Sequence, residues 1–195
     1  MTTERERMLR GEFYDSRDPE LLALAHRARA LLGRYNRSDS TDAIGRRAVL
    51  EELLAFVGDG VWIEPPFFCD YGANISVGAG TFVNLNCVML DSAPISVGAF
   101  GLLGPGVQLL TVTHPAAAAE RIVAEAGVRE PGAPYRTRAA PIRIGDRVWL
   151  GAGSIVLPGV TIGDEATIGA GSLVTSDIPA GVLAFGQPCK VQRPL

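Results

Sequence analysis

The sequence predicts a mainly β protein: a parallel β-helix, closed at one end by an N-terminal α-helical cap and interrupted by an extended loop that leaves the coil. Three observations carry this. From Ile144 the chain divides into sixes, IGDRVW, LGAGSI, VLPGVT, IGDEAT, IGAGSL and VTSDIP, with an aliphatic residue at Ile144, Leu150, Val156, Ile162, Ile168 and Val174. The same phase holds at Val77, Val83 and Met89, and resumes at Val97, Leu103 and Leu109 after a shift of two residues around Ala93 and Pro94. Residues 1–60 lack the six-residue beat, and residues 115–141 break it.

Each element follows from a physical reason. A helix period of 3.6 and a flat strand's alternation both fail on these hexads. Short strands that each send one aliphatic side chain into a central stack, with Gly, Asp, Asn or Pro turning the corner, account for them. Such coils bury a core only by stacking, so the units form one prism, and its exposed edges favour self-association. In the cap, Asp18 and Pro19 have the form of a helix start, followed by Leu21, Leu22, Leu24, Ala25 and Ala28 on one side. After Ser38–Thr41 a second helix is expected, with Leu50, Leu53, Leu54 and Val57 as its stripe. Two short amphipathic helices need a surface to pack on, and the open end of the prism supplies it. Residues 61–195 then form the β-helix domain, with the loop at 115–141 and a short C-terminal tail.

Composition narrows the function. A chain of 195 residues with net charge -3 fits one domain and disfavours a nucleic-acid or anionic-membrane surface, leaving a small-molecule partner. Cys69, Cys87 and Cys189 are widely spaced and show no metal-ligand pattern, which fits reduced, buried thiols. The charged start MTTERER has no signal-peptide character, and no apolar run reaches membrane-span length, so a cytoplasmic protein is expected. Of the two histidines, His26 reads as a surface or structural residue of the first long helix. His114 stands where the beat stops.

Several segments together carry a family resemblance: MLRGEFY at Met8–Tyr14, EPPFFCDYG at Glu64–Gly72, Asn84-Leu-Asn86, Leu90-Asp91, GPGVQ at Gly104–Gln108, Thr113-His-Pro115, LPGVTIG at Leu157–Gly163 and GQPCK at Gly186–Lys190. In order, over nearly the whole chain, these resemble the maltose and galactoside O-acetyltransferases, members of the hexapeptide-repeat acyltransferases. The resemblance implies a left-handed β-helix, although parallel crossovers are normally right-handed. It also implies a homotrimer with active sites between subunits, acetyl-CoA as co-substrate, a sugar hydroxyl as acceptor and no metal.

Transfer from a thioester to an alcohol requires removal of the hydroxyl proton during attack. Imidazole, with an ordinary pKa near 6.5, can accept it at neutral pH. The resemblance gives this role to His114, by direct transfer without a covalent intermediate, and places Asn84 beside the acetyl group, with corner-turning as its rival role. The backbone at Gly151 and Ala152 would meet the oxyanion. Asp70, Asp91, Tyr14 and Asp15 are expected to face the acceptor, with turn-capping the competing role for each aspartate. Ala152, Gly169 and Ala170 match the stretches that carry the pantetheine arm. Lys190, the chain's single lysine, and Arg193 match the basic positions near the phosphates, where solvation is the alternative. Thr175 and Ser176 stand where the family often has Thr-Lys. The stretch Glu120–Arg138 is longer than the family's loop, and either Glu125 or Glu130 could orient the imidazole.

Two further readings of the same scaffold are acylation of an amine or a non-sugar alcohol, and a non-catalytic scaffold protein. A zinc carbonic anhydrase needs three imidazoles per site, which two histidines, one of them in the cap, do not supply.

Overall fold

A computed structural model describes residues 2–123 and 133–195. Helix α1 (Glu4–Leu9) is held by a capping box between Thr3 and Glu6, α2 (Pro19–Tyr35) starts at the Asp18 cap, and the Asp42 carboxylate caps α3 (Ala43–Leu53). The chain then winds in coils of three short strands. These are β1 (Phe56–Val57), β2 (Trp62–Ile63) and β3 (Phe68–Cys69); β4 (Ile75–Val77), β5 (Phe82–Val83) and β6 (Val88–Leu90); and β7 (Ile95–Val97), β8 (Leu102–Leu103) and β9 (Gln108–Leu110).

An excursion follows, made of β10 (Val112–Thr113), the short helix α4 (Ala118–Arg121) and β11 (Arg138–Ala139). The coils resume with β12 (Ile142–Ile144), β13 (Trp149–Leu150) and β14 (Ile155–Val156), then β15 (Thr161–Ile162), β16 (Thr167–Ile168) and β17 (Leu173–Val174). Strand β18 (Val182–Gly186) starts a sixth turn and folds back on β19 (Cys189–Pro194) as an antiparallel hairpin, so the expected tail is a structured element.

Equivalent strands of successive coils pair in parallel and make three faces. The first face is β1-β4-β7-β12-β15, the second runs from β2 through β5, β8, β13 and β16 to β18 and β19, and the third is β3-β6-β9-β14-β17. The hexad residues meet in register: Val57, Val77, Val97, Ile144 and Ile162 stack behind the first face, and Ile63, Val83, Leu103, Leu150 and Ile168 behind the second. All are buried. Val57, expected on the second helix's stripe, is therefore a strand residue, and the first coil opens at Phe56 inside the segment assigned to the cap.

Ala28, Leu31, Leu32 and Tyr35 of α2 and Val49, Leu50 and Leu53 of α3 cover the open end of this stack, continuous with Ile63 and Phe67. Met8, Tyr14, Leu21, Ala25 and Tyr71 form a second cluster between the cap and the prism, and this cluster carries the wall of the candidate site. Among the described residues no helix is long and apolar enough to cross a membrane.

Candidate active site

The corner between the third and first faces is where the hexads break. Strands β10 and β11 form a two-stranded antiparallel stem there, Val112 opposite Ala139 and Thr113 opposite Arg138. The extended segment after α1 adds to its edge, since the Tyr14 amide donates to the Thr137 carbonyl at 3.1 Å. His114 continues β10. Its Nδ1 lies 2.9 Å from the Arg136 carbonyl and 3.5 Å from the Thr137 hydroxyl, and Tyr135 meets the ring edge-on at 6.4 Å between centroids. A carbonyl oxygen only accepts, so Nδ1 carries the hydrogen, and in the neutral ring the lone pair is on Nε2. Glu125 and Glu130, the two alternatives expected to orient the ring, lie outside the described residues; among the described residues Nδ1 meets the Arg136 carbonyl.

His114 opens on a cavity of about 240 Å³. Tyr14, Asp70, Tyr71, Ser92 and Thr137 line it from the prism and stem, while Leu22, Ala25 and Arg29 do so from α2. Positions 22, 25 and 29 fall on one helix face, so a single side of α2 builds that wall. Among the described residues no donor hydrogen-bonds to the Asp70 carboxylate. Burial first, and the neighbouring Asp91 second, raise its pKa to about 6, with Arg29 opposing. The Tyr71 and Tyr14 hydroxyls are also pushed up, chiefly by burial.

Asp91 departs from the expectation that it faces the acceptor. It is fully buried beneath the cavity, where Oδ1 accepts the amides of Asp70 (3.1 Å) and Tyr71 (2.8 Å) and Oδ2 accepts that of Asn74 (3.2 Å). It caps the corner that presents Asp70, and the next residue, Ser92, lines the cavity instead. Asp15 likewise turns away: Tyr14 and Ser16 on either side line the cavity, as the alternation of an extended chain requires, while Asp15 Oδ1 accepts the amides of Arg17 and Ala133, each at 2.9 Å.

Asn84 and the small residues Gly151, Ala152, Gly169 and Ala170 occupy the other edge of the third face. Asn84 follows β5 and its Oδ1 accepts the Leu85 amide at 2.8 Å. Gly151 and Ala152 follow β13, and Gly169 and Ala170 follow β16, in one column of small residues. The Gly151 amide is committed to the Ile168 carbonyl at 2.7 Å, whereas the Ala152 amide has no partner among the described residues. A Cβ on Gly151 would come within 2.5 Å of the Ala170 nitrogen, so the column is tight by construction. Thr175 and Ser176 are exposed after β17, and Lys190 and Arg193 are exposed on β19. Within one chain, therefore, Tyr14, Asp70 and His114 come together, while Asn84 and the small-residue column lie across the third face. Among the described residues no group of three or more His, Cys, Asp or Glu side chains is arranged to hold a metal ion.

Sequence reasoning missed Ser16, Arg29, Tyr71, Ser92 and Thr137 as cavity residues. Only Arg29 carried a signal, its helical spacing from Leu22 and Ala25.

A capped parallel solenoid with a histidine on a stem leaving its third coil defines a hexapeptide-repeat acyltransferase. The chain matches the maltose acetyltransferase hexapeptide capping motif over residues 7–58 and the hexapeptide repeat of succinyl-transferase over residues 141–176. It is 46% identical to nodulation protein L of Rhizobium meliloti (strain 1021) over 190 residues, covering 97% of this chain and 98% of that protein. Its fold superposes on the maltose O-acetyltransferase of Clostridium difficile 630 with a TM-score of 0.90 at 37% identity, covering 99% and 97% of the two chains. On a galactoside acetyltransferase in complex with coenzyme A the TM-score is 0.89 at 34% identity, covering 100% and 92%. The chain belongs to the maltose and galactoside O-acetyltransferase family, and it is an acetyltransferase of that type.

Proposed function

We propose that the protein transfers the acetyl group of acetyl-CoA to a hydroxyl of a sugar or glycoside-like acceptor, with His114 as general base. The observation that carries this is the 2.9 Å contact between His114 Nδ1 and the Arg136 carbonyl, which leaves Nε2 free to take a proton at the cavity. The acceptor hydroxyl donates to Nε2 as its oxygen attacks the thioester carbonyl. The Ala152 amide, without a partner among the described residues, meets the developing oxyanion, and Asn84 stands beside the acetyl group. Collapse expels the CoA thiolate, which takes the proton back from the imidazolium, so proton and acyl group are both accounted for without a covalent enzyme intermediate. Asp70, a carboxylate without a hydrogen-bond donor among the described residues, suits the vicinal hydroxyls of a sugar.

His114 and the Ala152 column lie on opposite edges of one face, so the site is completed by a second copy, in a homotrimer. The outward side chains support this. The second face displays Trp62, Phe82, Leu102, Trp149 and Thr167 in register, and the third displays Phe68, Val88, Gln108, Ile155 and Leu173, whereas the first displays Phe56, Ser76, Ser96, Arg143 and Thr161. Two mainly apolar faces and one mainly polar face are what a prism packed between neighbours needs. The pantetheine arm would run along Ala152, Gly169 and Ala170, with Thr175, Ser176, Lys190 and Arg193 towards the phosphates. Such a reaction, fed by acetyl-CoA, belongs in the cytoplasm.

The test is thiol release from acetyl-CoA across a panel of sugars, glycosides, amines and simple alcohols, with wild type and His114→Ala side by side. Turnover should require a sugar hydroxyl and fall by about 10²-fold or more in the variant at unchanged thermal stability. Undiminished turnover would refute the assignment of the base.

A further inference from the structure

We propose that Asp15 is a positioning residue for the transfer reaction, its carboxylate clamping the returning arm of the loop and thereby fixing the carbonyl that orients His114. The inference rests on the reading of His114 as the base.

The arm comprises residues 133–137, and three consecutive cap residues grip it. Asp15 Oδ1 accepts the Ala133 amide at 2.9 Å, a bond spanning 118 residues of sequence. The Tyr14 amide donates to the Thr137 carbonyl at 3.1 Å. The Phe13 ring lies under the guanidinium groups of Arg136 and Arg138, each 5.9 Å from its centroid. Arg136, whose carbonyl faces His114 Nδ1, sits between the two backbone anchors. Its own amide donates to the Arg121 carbonyl at 2.8 Å, so the peptide unit that precedes this carbonyl is held as well.

The clamp is itself anchored. The Asp15 amide donates to Glu4 Oε2 at 2.7 Å, tying the segment to α1, and the Arg17 amide closes a turn onto the same Asp15 oxygen that holds Ala133. Alternation along the extended segment sends Tyr14 and Ser16 into the cavity and Asp15 out of it. A carboxylate acting on the acceptor would have to face the other way. What Asp15 reaches instead is the stretch of backbone that carries the partner of His114 Nδ1.

An imidazole whose Nδ1 partner wanders still binds nothing less, but it meets the attacking hydroxyl at the right angle less often. Loss of the clamp therefore lowers turnover rather than affinity, and misplacement of this kind costs on the order of ten- to a hundredfold in rate. Asparagine keeps an amide oxygen able to accept both N–H groups, so it should preserve the clamp.

The experiment compares full-length wild type, Asp15→Ala, Asp15→Asn and His114→Ala. Steady-state acetyl transfer is measured to maltose and to methyl galactoside at saturating acetyl-CoA, with amide exchange of the 133–137 segment followed by mass spectrometry. Asp15→Ala should lose roughly ten- to a hundredfold in kcat with acceptor KM within about twofold, and exchange at 133–137 should rise. Asp15→Asn should match wild type on both readouts. A raised acceptor KM with unchanged kcat in both Asp15 variants would overturn the proposal, assigning Asp15 to acceptor binding. Unchanged exchange in Asp15→Ala would overturn it as well. Active His114→Ala would refute the base and leave the exchange measurement to decide the clamp, so the two failures are told apart.

Discussion

Replacing Asp70 with asparagine should stabilise the folded protein at pH 8, change nothing near pH 4 and weaken capture of the acceptor. The carboxylate is held at a pKa of about 6 against an ordinary 3.8, first by burial and then by Asp91. At about 1.4 kcal/mol per pH unit this corresponds to about 3 kcal/mol for keeping the group charged, and the open cavity reduces it to on the order of 2 kcal/mol. The folded state binds the proton more tightly than the unfolded chain, so stability falls as pH rises from about 4 to about 6 and the cost is complete above that. Below about pH 4 both states are protonated and the cost is absent. Asparagine is neutral throughout.

Urea unfolding followed by the fluorescence of Trp62 and Trp149, at matched protein concentration, should show variant and wild type alike at pH 4 and the variant about 2 kcal/mol more stable at pH 8. In the same variant the acceptor KM should rise about tenfold, the scale of one charge-assisted hydrogen bond. A stability difference that does not change with pH, or one favouring wild type at pH 8, would refute the argument that burial raises this carboxylate.

Asp91→Ala strips the acceptor from three corner amides and should cost on the order of 3 kcal/mol by denaturant unfolding, with a loss under about 1 kcal/mol contradicting its capping role. Trp149→Glu places a charge in the outward apolar ladder of the second face. It should shift the sedimenting species towards monomer with unchanged far-UV circular dichroism, and turnover should fall as the edges that share a site separate; an unchanged mass would remove that face from the interface.

The hexads made the core legible because a buried stack tolerates little but aliphatic side chains, and Ile144, Leu150, Val156, Ile162, Ile168 and Val174 are all buried as their period requires. The cap's outline was readable from Asp18 and Pro19, but α1 was not, since six residues with one buried side chain, Met8, show no apolar period and the helix is specified by its capping box. At the site, residue type was visible and direction was not. At a corner of the coil adjacent side chains point to opposite sides, so Asp91 turns inward to cap amides while Ser92 faces the cavity, and Asp15 turns to the loop while Tyr14 and Ser16 face inward. The partner of His114 was invisible for a different reason: a backbone carbonyl leaves no residue signature.

These placements explain why so regular a chain breaks its repeat at His114. On the coil itself a side chain is either buried in the stack or held flush with a face, and neither position reaches beyond the edge. The excursion supplies that reach at little cost to the ladder. Thr111 accepts the Ala140 amide at 2.9 Å where the loop closes, and β12 resumes on β7 in full register, Ile142 opposite Ile95 and Ile144 opposite Val97. No inter-coil pairing is forfeited, so the main thermodynamic charge is loop-closure entropy, which grows only slowly with length. The stem, braced by Tyr14 and Asp15 from the cap, carries His114 at the edge of the prism, so the cap and the repeat break meet at one place.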